Sequence, residues 1–187
     1  MFRGLKNLYH LQLTHRVKIV HHASMIHLTI DGNVVEAHEG ETLLAAAARS
    51  GIRIPTLCYK KEVTEASACC MICVVKEAKT ARMLPSCATI VAEGMEIETS
   101  TEEVREHRRH SMQLLNFKKG TCIVCGNCVR MSRALGEPVG LAWHGRGADT
   151  TIAPPLGKEH ETAVLTVSKD ACLRVCPTGA IHSVGKI

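Results

Sequence analysis

The chain has 187 residues and a formal net charge of +5, and because only 3% of its residues are aromatic, a large aromatic core is excluded. Ten cysteines exceed what packing requires. Because no apolar stretch follows the basic N-terminus to indicate a secretory signal, the cysteines favour metal binding in a reducing compartment over disulfides. Beyond residue 24 the numbers of basic and acidic residues are nearly equal, which argues against a nucleic-acid-binding domain. No apolar run is long enough to span a membrane.

The first elements follow in chain order. Residues 1–24 are basic and free of acidic residues, and we interpret them as an N-terminal extension, with a transit peptide as the alternative. From Met25, two short strands are expected around Asp31-Gly32, a hairpin turn signal. An Ala- and Leu-rich helix follows over 41–51 and stops at Gly51. Three further strands are predicted at residues 73–78, 82–91 and 95–100.

A second helix is predicted next, with Ser100 and Glu103 forming a capping box at its start. We interpret residues 101–119 as a connector between two domains, with Arg105, Arg108 and Arg109 on a solvated face. Residues 120–187 carry cysteines at both ends, separated by a Gly- and Pro-containing loop. Within that loop, His144 is a candidate to tune a nearby metal centre.

The first group of cysteines is Cys58, Cys70, Cys73 and Cys87, with 11, 2 and 13 residues between them. Four thiolates, two of them a tight pair and two delivered from elsewhere in the fold, suit a [2Fe–2S] cluster. A zinc site usually takes two close cysteine pairs, and this group has only one. A redox-active Cys-x-x-Cys at 70–73 would leave Cys58 and Cys87 without roles.

The stretches around these cysteines resemble the β-grasp ferredoxin domain of respiratory complex I, where it begins the large iron–sulfur subunit. The same domain occurs in [FeFe] hydrogenases and in subunits of NAD-linked hydrogenases and formate dehydrogenases. The likeness covers about residues 25–117 and rests on "IDGNVVEAHEGETLLAAAARSGIRIPTLCY", "CMICVVK", "PSCAT" and "GMEIET". In those relatives the first interval is usually ten, which Cys69 would satisfy, whereas Cys70 satisfies the following interval of two. We take Cys70 as the ligand, because a two-residue loop around a cluster tolerates little change, and we keep Cys69 as the alternative.

The second group is built from two incomplete runs. The first run is Cys122-x2-Cys125-x2-Cys128 with serine at its fourth position, and the second ends in Cys172-x3-Cys176-Pro177. In two-cluster ferredoxins the fourth cysteine of each run ligates the other cluster. One [4Fe–4S] cluster would therefore have all four ligands, whereas the other would retain one thiolate, from Cys172. We predict one [4Fe–4S] cluster, a buried Cys172, and these ligands: Cys122, Cys125, Cys128 and Cys176.

The C-terminal half resembles the ferredoxin-like domain that follows the [2Fe–2S] domain in the same group of proteins, on "HGRGADTTIAPPLGK" and "CPTGAI". The His-plus-three-Cys module often inserted between the domains is not expected, because Lys118 stands where its histidine would be. We therefore predict an α+β chain with four parts: an extension (1–24), a β-grasp [2Fe–2S] domain (25–100), a connector helix (101–119) and a ferredoxin-like [4Fe–4S] domain (120–187).

The resemblance implies an electron-transfer subunit without a substrate site of its own. It would relay single electrons between a flavoprotein NAD(P)-binding subunit and a catalytic subunit of a hydrogenase, formate dehydrogenase or NADH dehydrogenase. No nucleotide-binding glycine motif is present on this chain. We expect a cytoplasmic protein, free or peripheral to a membrane complex. The alternatives are a zinc-stabilised scaffold protein and a stand-alone ferredoxin or redox sensor.

Overall fold

The computed structural model describes residues 25–63, 66–155 and 165–183. The extension predicted over 1–24 lies outside the described residues.

The first half of the chain folds around a five-stranded mixed sheet. The strands are β1 (Met25–Ile30), β2 (Asn33–His38), β3 (Val74–Glu77), β4 (Arg82–Pro85) and β5 (Glu96–Glu98). They lie in the order β2-β1-β5-β3-β4, and the pairing of β1 with β5 is parallel whereas the other three pairings are antiparallel. The turn between β1 and β2 uses Asp31 and Gly32, both with positive φ, as the sequence indicated.

One helix, α1 (Leu43–Arg49), covers this sheet. Thr42 caps its start, because the Thr42 side chain accepts a hydrogen bond from the backbone N–H of Ala45. The apolar side of α1 packs against alternate buried residues of β1, β2, β3 and β5, and this contact forms the core of the first half. The predicted α+β architecture of this half is confirmed.

The strand predicted over 82–91 ends early, at Pro85. The next residue, Ser86, is fully buried and donates through its backbone N–H and its hydroxyl to the carbonyl of Cys73, at 3.2 and 2.7 Å. The backbone bond extends the pairing of β4 with β3 by one position. The chain then turns out of the sheet, because the N–H groups of Ala88 and Thr89 both donate to the carbonyl of Pro85, at 3.0 Å each. The turn delivers Cys87 beside Cys73.

The second helix, α2 (Glu102–Leu114), differs from the prediction in two respects. Its cap is Thr101 and not Ser100: the Thr101 hydroxyl accepts from the N–H of Val104, and Glu103 pairs with Lys76 instead of closing a capping box. Arg108 is not on a solvated face either. It donates to the carbonyls of Ile72 and Val74, at 3.0 and 2.6 Å, and so ties α2 to the segment that carries the first cysteines.

The second half is built on two short helices, α3 (Asn127–Ala134) and α4 (Lys169–Val175), which pack on each other. Part of the predicted loop between them is a hairpin of β6 (Ala142–His144) and β7 (Thr151–Ala153). Its strands are too short to show an alternating pattern, and the turn depends on Gly145, whose φ is +77° and where a β-carbon would collide with the carbonyl of Asp149.

Candidate metal centres

The four cysteines of the first group converge from two loops. Cys58, Cys70 and Cys73 lie in the loop between α1 and β3, and Cys87 follows β4. All four are at most 2% exposed. Four buried thiols in a small domain form a donor set that fits a [2Fe–2S] cluster, which is held by four cysteine thiolates.

These thiols contact one another in pairs, and the contacts shift their pKa values. A hydrogen bond from Cys87 lowers the pKa of Cys73 to about 6, and the same bond raises the pKa of Cys87 well above its usual range. The contact with Cys58 likewise raises the pKa of Cys70. The Cys73–Cys87 pair therefore stabilises one thiolate readily and resists the second, whereas the pKa of Cys58 is raised as well, chiefly by its hydrogen bond with Cys69. A bound cationic centre removes that resistance, because metal ions deprotonate coordinating thiols.

Both candidates for the second ligand, Cys69 and Cys70, lie beside Cys58. Cys70 is buried, and its sulfur accepts a hydrogen bond from the backbone N–H of Ile72 at 3.5 Å. Cys69 is exposed, yet its hydrogen bond with Cys58 lowers the pKa of the Cys69 thiol. The burial and the N–H···S contact favour Cys70, whose role as ligand stays a prediction.

The cysteines of the second group line a single cavity of about 270 Å³ between α3 and the turn after α4. The remaining wall is largely apolar and includes Leu141, Ile152 and Ile181. The sequence separates the last cysteine from the first three by almost fifty residues, and the fold brings it to the same cavity. The four thiols surround a cavity and do not converge on the position of a single metal ion. This donor set fits a [4Fe–4S] cluster. The four are Cys122, Cys125, Cys128 and Cys176.

The surroundings of these thiols differ in polarity. Burial raises the pKa of Cys128 to about 12 and also raises that of Cys125. Burial also acts to raise the pKa of Cys176, but hydrogen bonds from the backbone after it and from the Thr178 hydroxyl outweigh burial and lower that pKa. Cys122 sulfur accepts from the N–H of Val124 at 3.3 Å. N–H groups directed at sulfur stabilise negative charge there, which is one way a protein sets a cluster's potential.

Three of the four positions that a second cubane would use have side chains that hydrogen-bond to other protein groups. Ser132 donates to the carbonyl of Val129 within α3. Thr166 donates to the carboxylate of Glu137 through both its N–H and its hydroxyl. Cys172 is fully buried, as expected, and its sulfur lies 3.5 Å from the carbonyl of Cys128.

The sequence analysis missed the role of Trp143 beside the second site. Its indole ring lies against Gly126, the glycine inside the Cys122–Cys128 run, whose φ is +71°. The only signal for such a contact was the glycine itself. The neighbouring His144 has a buried Nε2 atom without a hydrogen-bond partner among the described residues, and its proposed tuning role stays a prediction.

Two further findings concern only the parts of the chain that the structure describes. No three His, Cys, Asp or Glu side chains are grouped to hold one metal ion in common. A cluster makes a different demand, since its thiolates bind different irons. No described helix is both long enough and apolar enough to cross a membrane.

Comparison with known proteins identifies the first half. Residues 23–102 match the family model of the 2Fe-2S iron-sulfur cluster binding domain. This part of the chain is similar to that family. The match confirms the resemblance on which the [2Fe–2S] prediction rested, and it contains all four cysteines of the first group.

The relatives extend beyond this domain. The chain is 29% identical to an NADH-quinone oxidoreductase subunit of Rhizobium meliloti, over 85% of this chain and 24% of that protein. It is 27% identical to the HndD subunit of the NADP-reducing hydrogenase of Solidesulfovibrio fructosivorans, over 84% of this chain and 36% of the relative. The chain therefore spans only a quarter to about a third of the length of these relatives. It is an iron–sulfur chain homologous to subunits of NADH- and NADP-linked oxidoreductases.

A solved structure shares the fold of most of the chain. It is that of an NAD+-reducing [NiFe]-hydrogenase in the H2-reduced state, with a TM-score of 0.70 at 22% sequence identity. The superposition covers 83% of this chain and 86% of the hydrogenase chain, so the shared fold extends past the [2Fe–2S] domain.

Proposed function

We propose that the chain relays single electrons between two iron–sulfur clusters. A [2Fe–2S] cluster would be held by Cys58, Cys70, Cys73 and Cys87, and a [4Fe–4S] cluster by Cys122, Cys125, Cys128 and Cys176. The observation that carries the proposal is the arrangement of the eight thiols as two sets that touch. Cys58 and Cys70 form one apolar cluster with Ile123, and Cys125 packs against it.

The chain's own residues would position the clusters and control their surroundings. The clusters, when bound, accept and release electrons one at a time. Ile123 and its neighbours exclude water from the space between the two cysteine sets. The N–H groups of Ile72 and Val124, directed at sulfur, would stabilise the charge of the reduced state and so influence the potentials.

The proposed domain division has the following support. The sheet of the proposed β-grasp domain (25–100) ends with β5 at Glu98, and α2 occupies most of the proposed connector (101–119). Helices α3 and α4 surround the second cysteine set within the proposed ferredoxin-like domain (120–187).

The proposed partners are a flavoprotein NAD(P)-binding subunit and a catalytic oxidoreductase subunit in a cytoplasmic hetero-oligomer. Support comes from the relatives, which are named as subunits of NADH-quinone oxidoreductase and NADP-reducing hydrogenase. Purification of the tagged chain from its native cells, with identification of the co-purifying proteins, tests this part. A chain that purifies alone would favour a stand-alone ferredoxin or redox sensor.

Anaerobic purification with metal analysis and EPR tests the cofactors. We expect about six irons per chain, the sum for the two cluster types. The reduced protein should give two separate EPR signals, one from each cluster. About two irons with a single signal would leave only the [2Fe–2S] site, and stoichiometric zinc without iron would favour the zinc-stabilised scaffold.

A further inference from the structure

One buried side chain connects the two cysteine sets. Asn127 is the first residue of α3, between Cys125 and Cys128, and is 1% exposed. Its amide nitrogen donates to the carbonyl of Cys58 at 2.9 Å and to the carbonyl of Val175 at 3.2 Å. Asn127 therefore contacts the main chain of one candidate ligand directly, and of another, Cys176, through the preceding residue.

The amide oxygen of Asn127 is held just as firmly. It accepts from Arg130 at 2.9 Å and faces the Ser67 hydroxyl at 3.1 Å. Arg130 also donates to the carbonyl of Cys125 at 2.9 Å, and the Ser67 hydroxyl shares its single hydrogen between Asn127 and that carbonyl, also at 2.9 Å. A carboxamide has two donor hydrogens and two acceptor positions, so each of the four faces a partner. A buried amide that is fully satisfied has one favoured orientation, because any rotation leaves a polar group without a partner.

These contacts cross the boundary between the two halves. Cys58 and Ser67 belong to the loop that delivers the first cysteine set, whereas Cys125 and Val175 belong to the segments that deliver the second. The surrounding contacts, which involve Ile72 and Ile123, are apolar. Asn127 thus forms, with Ser67 and Arg130, a small polar cluster within apolar surroundings, where a misplaced polar group is costly.

We infer that Asn127 is a positioning residue that sets the separation and orientation of the two clusters, and thereby the rate at which an electron passes between them. The inference rests on the proposed function. In the step concerned, one electron leaves a reduced cluster and enters the oxidised neighbour, and no bond or proton is exchanged. The electron comes from an external one-electron donor such as dithionite.

Two substitutions test this role in the intact holoprotein. Asn127→Asp keeps the acceptor toward Ser67 and Arg130 but removes both donors, and it directs a carboxylate at the carbonyls of Cys58 and Val175. Ser67→Ala leaves Asn127 and all eight candidate ligands in place and removes the contacts of the Ser67 hydroxyl with the Asn127 oxygen and with the carbonyl of Cys125. Arg133→Gln, at an exposed position of the same helix, is the matched control.

The measurements are the magnetic interaction between the two reduced clusters by EPR, the rate of electron transfer between them after rapid photoreduction, and the iron content. We expect Asn127→Asp to weaken the interaction and slow the transfer, Ser67→Ala to do so to a smaller degree, and Arg133→Gln to match the wild type. A role in stability alone would lower the melting temperature without changing the interaction in molecules that hold both clusters.

The outcomes separate this inference from the proposed function. A wild-type chain that lacks a [4Fe–4S] signal overturns the proposed function itself. Wild-type-like interaction and transfer in both variants, at about six irons per chain, overturns the role of Asn127 and leaves the relay intact. If Asn127→Asp loses its [4Fe–4S] cluster, the Ser67→Ala variant becomes the deciding test. An unchanged magnetic interaction between the two clusters in Ser67→Ala counts against the inference.

Discussion

The indole ring of Trp143 lies directly on Gly126, in the space that a β-carbon at that position would need. Trp143 comes from β6, and Gly126 lies between the second and third cysteines of the Cys122–Cys128 run. The contact closes the outside of the loop that lines the second cavity, although Trp143 itself is 45% exposed. The glycine is needed for its missing side chain as well as for its left-handed backbone.

Gly126→Ala should therefore displace Trp143 and reduce occupancy of the [4Fe–4S] cluster. Gly136→Ala is the control, because Gly136 has nearly the same φ, +69° against +71°, but nothing within 4 Å of the added carbon. Backbone strain of about 1–2 kcal/mol is common to both variants, so the difference in cubane EPR intensity reports the clash. Equal intensities would contradict the steric role, and recovery of the cubane in Gly126→Ala/Trp143→Ala would support it.

The choice between Cys69 and Cys70 can be tested by two serine substitutions. We expect Cys70→Ser to abolish the [2Fe–2S] EPR signal or change its g values, because Cys70 is the buried thiol with an N–H···S contact. Cys69→Ser should leave the signal unchanged, since Cys69 is exposed. The reverse pattern would make Cys69 the ligand. The additional residue would then lie in the interval between Cys69 and Cys73 rather than in the interval after Cys58.

Cys172 and Cys176 lie four residues apart but have different predicted roles. Cys176→Ala should remove the [4Fe–4S] signal and about four irons, because the cavity then has three thiols. Cys172→Ala should keep both clusters and lower the stability by about 1 kcal/mol, as expected for a small cavity in a packed core. Metal analysis and EPR measure the first effect and thermal unfolding the second. Loss of the cubane in both variants would defeat the single-cluster assignment.

Arg108 links α2 to the segment that runs from Cys70 into β3. Arg108→Ala should lower the free energy of unfolding by about 2 kcal/mol, because two carbonyls lose hydrogen bonds from a charged group. Arg109→Ala is the control, since Arg109 is exposed and its side chain makes an ion pair with Glu102 at the surface. Chemical denaturation measures both variants. Equal small effects would indicate that α2 is held by apolar contacts alone.

Glu137 joins the end of α3 to the start of α4. Its carboxylate accepts from the N–H groups of Thr166, Val167 and Ser168 and from two hydroxyls. Burial acts to raise its pKa, but the bonds from Thr166 and Ser168 outweigh burial and lower the pKa to about 2. A pKa lowered by folding contributes stability above the unfolded-state value of 4.5, and that stability disappears as the pH falls toward 2.

Glu137→Gln should therefore be less stable than the wild type, and by the same amount at about pH 5.5 and pH 8, since the wild-type carboxylate stays ionised over this range whether the chain is folded or unfolded. The difference should shrink only below the unfolded-state pKa of 4.5. Melting temperatures of the two proteins across the range measure it. A difference that grows as the pH falls from 8 to 5.5 would mean that folding raises the pKa of Glu137.

The sequence by itself determined the features that depend on neighbours along the chain. The intervals within Cys122–Cys128 and Cys70–Cys73, the Asp31-Gly32 turn and α1 all follow from local geometry. The cysteine runs and their flanking stretches were also sufficient for the resemblance that the family match confirmed.

Only the tertiary structure decided the contacts between distant segments. The turn after Pro85 brings Cys87 to Cys73. The packing of α2 places the Arg108 side chain against the carbonyl of Ile72 rather than in solvent. The tertiary structure also sets Asn127 against Cys58. Such contacts depend on how whole elements pack, and packing is a property of surfaces that meet in three dimensions, so no local spacing in the sequence encodes them.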